Sequence, residues 1–460
     1  MIDARDARIA ELEAIIVALQ ARIVELESKL GQNSSNSSRP PSSDTPQQRA
    51  NRYPKRVRSG RKHGAQRGHV GHRRELVAED KVSAVHECFP ERCKCGRHLP
   101  QVADSDPIRH QVVELPDITP LVDEYRLHAV ECKCGRITRA SLPPGVTTGM
   151  VGPRMNGLIG LLTGCYRISR RQAVSLLDDV LGMRISLGAL SQAQGKLTDV
   201  LSEPVQQAHQ YSIEQPVKNL DATSCKQNGV GKSLWTITTT LVTVFVVTHD
   251  ATEKTVKQML GKMVGIMITD RGRQFGFWAM DKRQICWAHL IRKFVSFSES
   301  NNETVSKLGD ELLLFSQVLF DDWYRFRAGE ISRARLQRET GLLRVCVENL
   351  LAKGRDLDLR GVSGCCKDIL VHREALWTFL DKNGVEPTNN HAERALRDFV
   401  LWRKSSFGSQ SVRGTRYAER IMTVVHTLRK QNRNVFSYLT AACRAALIGT
   451  PIPSLLPNPP

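Results

Sequence analysis

The sequence predicts a multidomain α/β protein whose largest domain, residues 213–445, is built on a mixed β-sheet. Three patterns lead to this prediction. Strand-like and helix-like segments alternate within 213–445, helical periodicity fills residues 151–212, and two near-identical cysteine pairs lie within residues 76–150. A chain of 460 residues has room for about three domains with buried cores.

The charge of the chain points to its partner. A formal charge of +19 and a pI near 9.6 favour a polyanion, and nucleic acid is favoured over an acidic membrane surface. The amino terminus is too charged for a signal peptide, and the longest apolar run, residues 241–247, is too short to span a bilayer. We therefore expect a cytoplasmic protein with no membrane partner, in which the 12 cysteines are ligands or buried thiols rather than disulfides.

Residues 1–30 predict a coiled-coil helix that forms a homodimer or higher oligomer. Apolar side chains recur alternately every three and four residues at Ile9, Leu12, Ile16, Leu19, Ile23, Leu26 and Leu30. Ile at the first a positions with Leu at d favours a parallel two-stranded coil. An amphipathic helix packed on its own chain is the alternative.

Residues 31–75 predict a flexible linker rich in Ser, Asn and Pro, followed by a basic arm. From Arg49 to Arg74 there are ten Lys or Arg residues and no acid. Such an arm suits DNA phosphates, although a solubilising tail is the alternative. The residues of this arm expected to bind DNA are Arg52, Lys55, Arg56, Arg58, Arg61 and Lys62.

Residues 76–150 predict a zinc-binding domain. The sequences Cys93-Lys94-Cys95-Gly96 and Cys132-Lys133-Cys134-Gly135 are two knuckles with strand-like sequence between them. Four thiolates suit a tetrahedral, structural Zn²⁺ with no open position for catalysis. Because one intervening residue is fewer than zinc ribbons usually have, Cys88 is an alternative ligand.

Residues 151–212 predict a helix-turn-helix-like domain that binds DNA. One helix begins at Ser169 and ends at Gly182, and a second begins at Ser186. Arg170 and Arg171 lie at the start of the first helix and are expected to contact DNA. A plain helical bundle is the alternative.

Residues 213–445 predict three strands, a helix, a fourth strand, then a short strand and further helices, which is the ribonuclease H-like order. Between Asp270 and Glu393 lie 122 residues, more than one connection needs, so we expect a helical insertion at about residues 300–365. Residues 446–460 form a Pro-rich tail.

Three acidic residues at the ends of predicted elements make up the candidate catalytic site. Asp221 and Asp270 are expected at strand ends after apolar runs, and Glu393 in the first turns of a helix. Because Asp is disfavoured in strands and costly to bury without a partner, a cation is the expected compensation. Mg²⁺ or Mn²⁺ takes oxygen ligands, and two such ions clamp the attacking and leaving oxygens of a phosphodiester. A solvated surface acid is the alternative for each residue alone.

The predicted helix around Glu393 also carries positive charge. An apolar stripe runs along it, and Arg394, Arg397 and Lys404 lie outside the stripe, where they are expected to contact DNA. The alternative is a surface helix with routine charge pairs, such as Glu393 with Arg397.

Four segments resemble bacterial insertion-sequence transposases of the IS-sixty-six group. They are residues 31–44, residues 68–72, Cys286-Trp287-Ala288-His289-Leu290-Ile291-Arg292-Lys293-Phe294, and Asn389-Asn390-His391-Ala392-Glu393-Arg394-Ala395-Leu396-Arg397. Ala222 and Arg67 depart from the residues that members usually carry, Glu and Pro respectively.

The resemblance implies a DDE transposase with Asp221, Asp270 and Glu393 as the metal-binding acids. Its expected activity is metal-dependent phosphodiester hydrolysis and strand transfer at the terminal inverted repeats of its own element, on double-stranded element and target DNA. The resemblance also implies a bacterial, nucleoid-associated protein. Small accessory proteins are often encoded beside members of the group.

Two other functional classes compete with this interpretation. A catalytically inactive or domesticated DNA-binding protein would keep the coiled coil, basic arm, zinc knuckles and helix-turn-helix, but retention of all three acids favours the enzyme. An RNA-processing nuclease is disfavoured because aromatic residues, at 6%, offer few platforms for stacking single-stranded bases.

Overall fold

The computed structural model describes residues 12, 15, 16, 19, 30, 32–37, 39, 43–52, 75–406 and 408–457. The chain divides into two compact units. One is Tyr53–Leu121, and the other comprises Met1–Arg52 with Val122–Pro460. The boundary falls within residues 76–150, so Cys93 and Cys95 belong to the smaller unit and Cys132 and Cys134 to the larger one.

The smaller unit has little regular structure between residues 75 and 121. A 3₁₀ turn spans Glu79–Lys81. The side chain of Gln111 pairs with the backbone of Val77, through N–H···O distances of 2.8 and 2.9 Å. Arg92 and His98 form an antiparallel bridge that closes the loop around the first knuckle.

The larger unit contains the regular elements. Its strands are β1 (Ala129–Glu131), β2 (Ile137–Arg139), β3 (Val217–Gln227), β4 (Val230–Thr238), β5 (Thr243–Thr248), β6 (Ile266–Thr269) and β7 (Arg283–Ile285). Its first helices are α1 (Pro46–Arg52), α2 (Pro153–Gly160), α3 (Arg170–Leu181), α4 (Leu187–Val200), α5 (Ser202–Glu214), α6 (Glu253–Leu260) and α7 (Trp287–Ser298). They are followed by α8 (Glu303–Arg327), α9 (Arg333–Arg355), α10 (Val362–Val371), α11 (Arg373–Leu376), α12 (Thr378–Asp381), α13 (Asn390–Ser406), α14 (Val412–Lys430) and α15 (Val435–Ile448).

The central sheet has five strands in the order β5-β4-β3-β6-β7. The pairs β3–β4 and β4–β5 are antiparallel, whereas β3–β6 and β6–β7 are parallel. This mixed sheet lies between helices, as predicted. Its core contains fully buried Leu220, Trp235, Ile237 and Met267.

Helix α14 covers the free edge of β5. Three outward-facing amides of this strand donate to side chains spaced four residues apart on the helix: Thr243 to Thr427 (3.1 Å), Phe245 to Thr423 (3.0 Å) and Val247 to Glu419 (2.5 Å). An edge with unpaired amides is a template for association with another strand. The helix therefore satisfies the edge that the sheet leaves open.

The helices of residues 151–212 form as predicted from their caps. Ser169 and Gln172 make a capping box at the start of α3, and Gly182 ends it in the left-handed region with φ +61°. These helices pack on the carboxyl-terminal pair α14 and α15. At Gly157 an added Cβ would lie 3.0 Å from the backbone nitrogen of Thr440, so a side chain there would separate α2 from α15.

The predicted insertion is helical, and it extends beyond residue 365. Helices α8 to α12 form a second core that also contains Ile285 of β7. Trp287 at the start of α7 packs edge-on against Trp377, with ring centroids 5.1 Å apart. The insertion is thereby joined to β7, the strand that pairs with β6.

Part of the predicted flexible linker forms a hydrogen-bonded turn. Ser34 donates to Asp44 from its amide (2.8 Å) and its hydroxyl (2.5 Å), and the Asn36 side chain donates to Glu299 (2.5 Å). Ser34, Asn36 and Asp44 are buried by these contacts. The polar composition that suggested flexibility instead supplies the hydrogen bonds of a docked turn.

The predicted coiled coil lies largely outside the described residues. Its described positions, Leu12, Ile15, Ile16, Leu19 and Leu30, are helical and exposed. No helix in the described part of the chain has an apolar stretch long enough to cross a membrane.

Candidate active site

Asp221 lies within β3 rather than at its end, where the sequence pattern predicted it. The strand runs from Val217 to Gln227, and Asp221 is opposite Thr236 of β4. On the other side, pairing with β6 stops at Asn219. The strand continues past this point because β4 still pairs with it. Asp221 therefore has a paired neighbour on the β4 side and none on the β6 side.

Asp270 directly follows β6, as predicted. Its Oδ1 atom accepts a hydrogen bond from the Gly272 amide at 2.9 Å, which holds the carboxylate at the strand end. The guanidinium of buried Arg283 donates to the Asp270 carbonyl at 3.4 Å. Because β3 and β6 are parallel neighbours, their acids lie at the same edge of the sheet.

Glu393 is in the first turn of α13, as predicted, and Asn389 attaches this turn to β3. The buried Asn389 side chain donates to the Leu220 carbonyl at 2.6 Å and accepts from Asn219 at 3.0 Å. The Asn389 carbonyl in turn accepts from the Glu393 amide at 3.2 Å. These bonds place Glu393 beside the part of β3 that carries Asp221.

A fourth segment, at the start of α7, completes the site. The Cys286 amide donates to the Thr269 carbonyl at 2.8 Å, and its sulfur accepts from the Asn389 amide at 3.1 Å. One turn later, His289 Nδ1 lies 3.6 Å from Glu393 Oε1, and Arg292 donates to Glu393 Oε2 at 3.2 Å. Glu393 therefore pairs with α7 rather than with Arg397.

The three acids influence one another electrostatically. The pKa of Asp221 is raised to about 7, chiefly by burial, with further increases from the negative charges of Glu393 and Asp270. The Ala222 amide and Arg292 oppose this change. Burial also lowers the pKa of His289, against the effect of Glu393, and raises the pKa of Cys286 to about 12. The site thus combines mutually repelling carboxylates with a neutral thiol.

The donor set fits a divalent cation. Glu393 Oε1 and His289 Nδ1 are buried and have no hydrogen-bond partner among the described residues. Cys286, His289 and Glu393 each place a possible ligand atom within 4.8 Å of the others. Within the described part of the chain, Asp221, Asp270 and Glu393 do not form so close a group. A cation would offset their repulsion and satisfy the Glu393 oxygen.

Cys286, His289 and Arg292 were not predicted as site residues. The only signal was their place in the segment Cys286–Phe294, which carried the family resemblance without assigning a role. His289 and Arg292 are more than 100 positions from Glu393, so local spacing did not pair them.

The predicted DNA-binding residues fall into three groups. Arg394, Arg397 and Lys404 are exposed on α13, and Arg171 is exposed at the start of α3. Arg170 is held by its Nε, which donates to Gln194 at 2.7 Å. Arg52 ends α1, and Lys55, Arg56, Arg58, Arg61 and Lys62 lie outside the described residues.

The two cysteine knuckles have the same local geometry. The Cys93 amide donates to Arg97 at 2.8 Å, and the Cys132 amide donates to Arg136 at 2.9 Å. The glycine that follows each pair has a positive φ. The backbone amides of Cys95 and Cys134 lower the pKa of Cys93 and Cys132, respectively, which favours the thiolate that a metal requires.

Comparison with known proteins identifies the family of the chain. No curated protein matches the chain. A model described as a family of unknown function (DUF6444) matches residues 2–75. The model described as Transposase IS66 family matches residues 163–417, a range that includes Asp221, Asp270 and Glu393. Because this second match covers more than half of the chain, the protein belongs to the IS66 family of transposases, which are nucleic-acid-processing enzymes.

Proposed function

We propose that the chain is a DDE transposase with a ribonuclease H-like core. It cleaves phosphodiesters at the terminal inverted repeats of its element and joins the ends to target DNA. The sheet order β5-β4-β3-β6-β7, antiparallel on one side of β3 and parallel on the other, supports this core. The helical insertion between Asp270 and Glu393 is consistent with it.

One observation carries the proposal: three separate elements bring their acids into electrostatic range. Asp221 comes from β3, Asp270 from the end of β6, and Glu393 from the first turn of α13. The pKa of Asp221, raised to about 7, reflects burial and the two like charges. Such an arrangement is unfavourable by itself, so a structure that maintains it has a use for it.

Asp221, Asp270 and Glu393 would hold paired Mg²⁺ or Mn²⁺ ions, which supply charge stabilisation for an in-line displacement. The chain's own residues orient the reacting groups. Asn389 positions the Glu393 helix, Arg292 donates a hydrogen bond to the Glu393 carboxylate, and His289 lies 3.6 Å from it. The exposed Arg394, Arg397 and Lys404 bind the DNA backbone. Water attacks first and a 3′-hydroxyl attacks second, so no covalent protein–DNA intermediate is needed.

In this proposal the other parts of the chain assemble the protein on DNA. Residues 1–30 pair two copies so that both ends of the element meet, and the basic arm binds DNA phosphates. The knuckle thiols Cys93, Cys95, Cys132 and Cys134 bind structural zinc. The excess positive charge of +19 suits a polyanionic partner in the cytoplasm, with the nucleoid as its location.

Substitution of Glu393 by Gln tests the proposal. The change removes one charge at nearly constant shape, so we expect binding to the element ends to persist and Mg²⁺-dependent cleavage and joining to fall by at least about a hundredfold. The assay uses labelled DNA carrying the ends that flank the gene, a target plasmid and added Mg²⁺. Glu386→Gln is the matched control, because Glu386 is a half-buried acid that pairs with Arg327 and His391 outside the site.

Cleavage retained by Glu393→Gln would remove Glu393 from the mechanism. End binding without cleavage by the unmodified protein, with Mg²⁺ and both ends present, would instead favour the non-enzymatic DNA-binding protein. An equal loss of cleavage in Glu386→Gln and Glu393→Gln would indicate a general effect of removing a negative charge rather than a specific role of the site.

A further inference from the structure

We propose that a cavity between α3 and α13 binds one unpaired nucleotide of the DNA strand that passes Asp221. This inference rests on the proposed function and adds a specificity element to it. The cavity has a volume of about 590 Å³ and is separate from the three acids. Its walls come from the start of α3, the far end of β3, the last turns of α13 and the start of α14.

The cavity lies on the face of β3 that carries Asp221. Side chains alternate along a strand, so Asp221, Thr223 and Cys225 share one face, and Cys225 lines the cavity. Four residues of strand span ~13 Å. Arg403 bridges the interval by donating to the Thr223 hydroxyl at 3.4 Å. A strand whose phosphodiester is at Asp221 reaches the cavity within about two to four nucleotides, given a rise of ~3.4 Å per stacked nucleotide.

The lining chemistry matches a nucleotide. Among the described lining residues, four are of cationic type, Arg170, Arg171, Lys226 and Arg403, and none is acidic. Trp402 contributes an aromatic wall, with its ring centroid 6.4 Å from that of Tyr417. Cationic groups attract the phosphate, and an aromatic ring stacks on any base.

A buried hydrogen-bond network builds the floor. Arg170 Nε donates to Gln194 Oε1 (2.7 Å), Gln194 Nε2 donates to Thr163 Oγ1 (3.0 Å), and Thr163 Oγ1 lies 2.6 Å from the Tyr417 hydroxyl. Thr163 and Tyr417 are almost fully buried. The network orders Arg170 before a ligand arrives, while the Nη atoms of Arg170 form no hydrogen bond within the described residues. Ordering in advance lowers the entropic cost of binding.

The cavity proposal is tested by measuring whether a substitution in the cavity and the removal of a single DNA base affect the binding affinity independently. Full-length protein is titrated, without added Mg²⁺, into duplexes carrying the element end with one abasic site at each of four positions on either side of the cleaved bond. We expect one position at which the abasic site weakens binding roughly tenfold, the scale of one lost stacking contact. Trp402→Ala should weaken binding to the intact duplex by a similar factor and then be insensitive to that abasic site.

Two further variants separate an effect of the cavity from an effect on folding. Because Trp402 also packs on the core, exposed Arg171→Ala provides a substitution that leaves the fold intact and should show the same coupling. Arg184→Ala is the matched control, since Arg184 is exposed in the same helical region, outside the cavity, beside Asp178. It should leave the response to the abasic site unchanged.

The cavity proposal would be overturned if, at every DNA position, the affinity loss caused by Trp402→Ala and the loss caused by the abasic site were independent of each other. If end binding and cleavage were intact, the proposed function would still stand. Failure of the unmodified protein to bind the ends would overturn both. Micromolar binding of free dAMP that is abolished by Trp402→Ala, without an abasic-sensitive DNA position, would assign the cavity to a free nucleotide and refute its assignment to the strand.

Discussion

Replacement of Glu419 by Gln should change the pH dependence of stability in a defined direction. Glu419 accepts the Val247 amide at the covered sheet edge, and burial raises its pKa from 4.5 to about 7. Between these values the folded protein holds a proton that the unfolded chain has released. The Glu419 contribution is therefore fully present below pH 4.5 and is lost as the pH rises towards 7. Gln accepts the same hydrogen bond but cannot ionise.

The size of the effect follows from the two pKa values. A folded-state pKa that stands about 2.5 above the ordinary value of 4.5 corresponds to about 3 kcal/mol at high pH. Integrated from pH 5 to pH 8, the change is about 2.5 kcal/mol. The free energy of unfolding of Glu419→Gln, relative to the unmodified protein, should increase by that amount over this interval.

Urea unfolding of both proteins at pH 5 and pH 8, followed by tryptophan fluorescence, measures the difference. Comparing the two proteins at each pH cancels the contributions of the other titrating groups. Thr423→Val is the matched control, because it leaves the Phe245 amide of the same edge without its acceptor. It should cost about 1–3 kcal/mol at both pH values. Parallel pH profiles for Glu419→Gln and the unmodified protein would refute the reasoning.

Three further predictions concern the assembly of the site and the chain. Asn389→Ala should lower the free energy of unfolding by about 1–3 kcal/mol, because the Leu220 carbonyl loses its hydrogen-bond donor. The same change should reduce cleavage more strongly than it reduces binding to the element ends. Unchanged cleavage in a strand-transfer assay would contradict the positioning role of Asn389. Deletion of residues 1–30 should reduce the oligomer mass measured by light scattering, and an unchanged mass would assign the heptads another role. Cys93→Ser or Cys132→Ser should lower the amount of bound zinc measured by elemental analysis. A zinc content equal to that of the unmodified protein would argue against the knuckle thiols as zinc ligands.

Elements whose ends depend on local chemistry were predictable from sequence. Ser169, Gly182 and Ser186 mark helix ends because caps act within one turn. The order of strands and helices in the sheet region also agreed with expectation, since apolar periodicity reports local burial. The position of Asp221 was not predictable in the same way. The length of β3 depends on its pairing with β4, which no local pattern specifies.

The sequence by itself determined the elements, the excess of positive charge and the three candidate acids. Only the tertiary structure decided that Glu393 contacts His289 and Arg292, and that α14 satisfies the edge of β5. It also formed the cavity between α3 and α13. Each of these features joins residues more than 100 positions apart. Their distances are set by how the whole core packs, which local propensity does not specify.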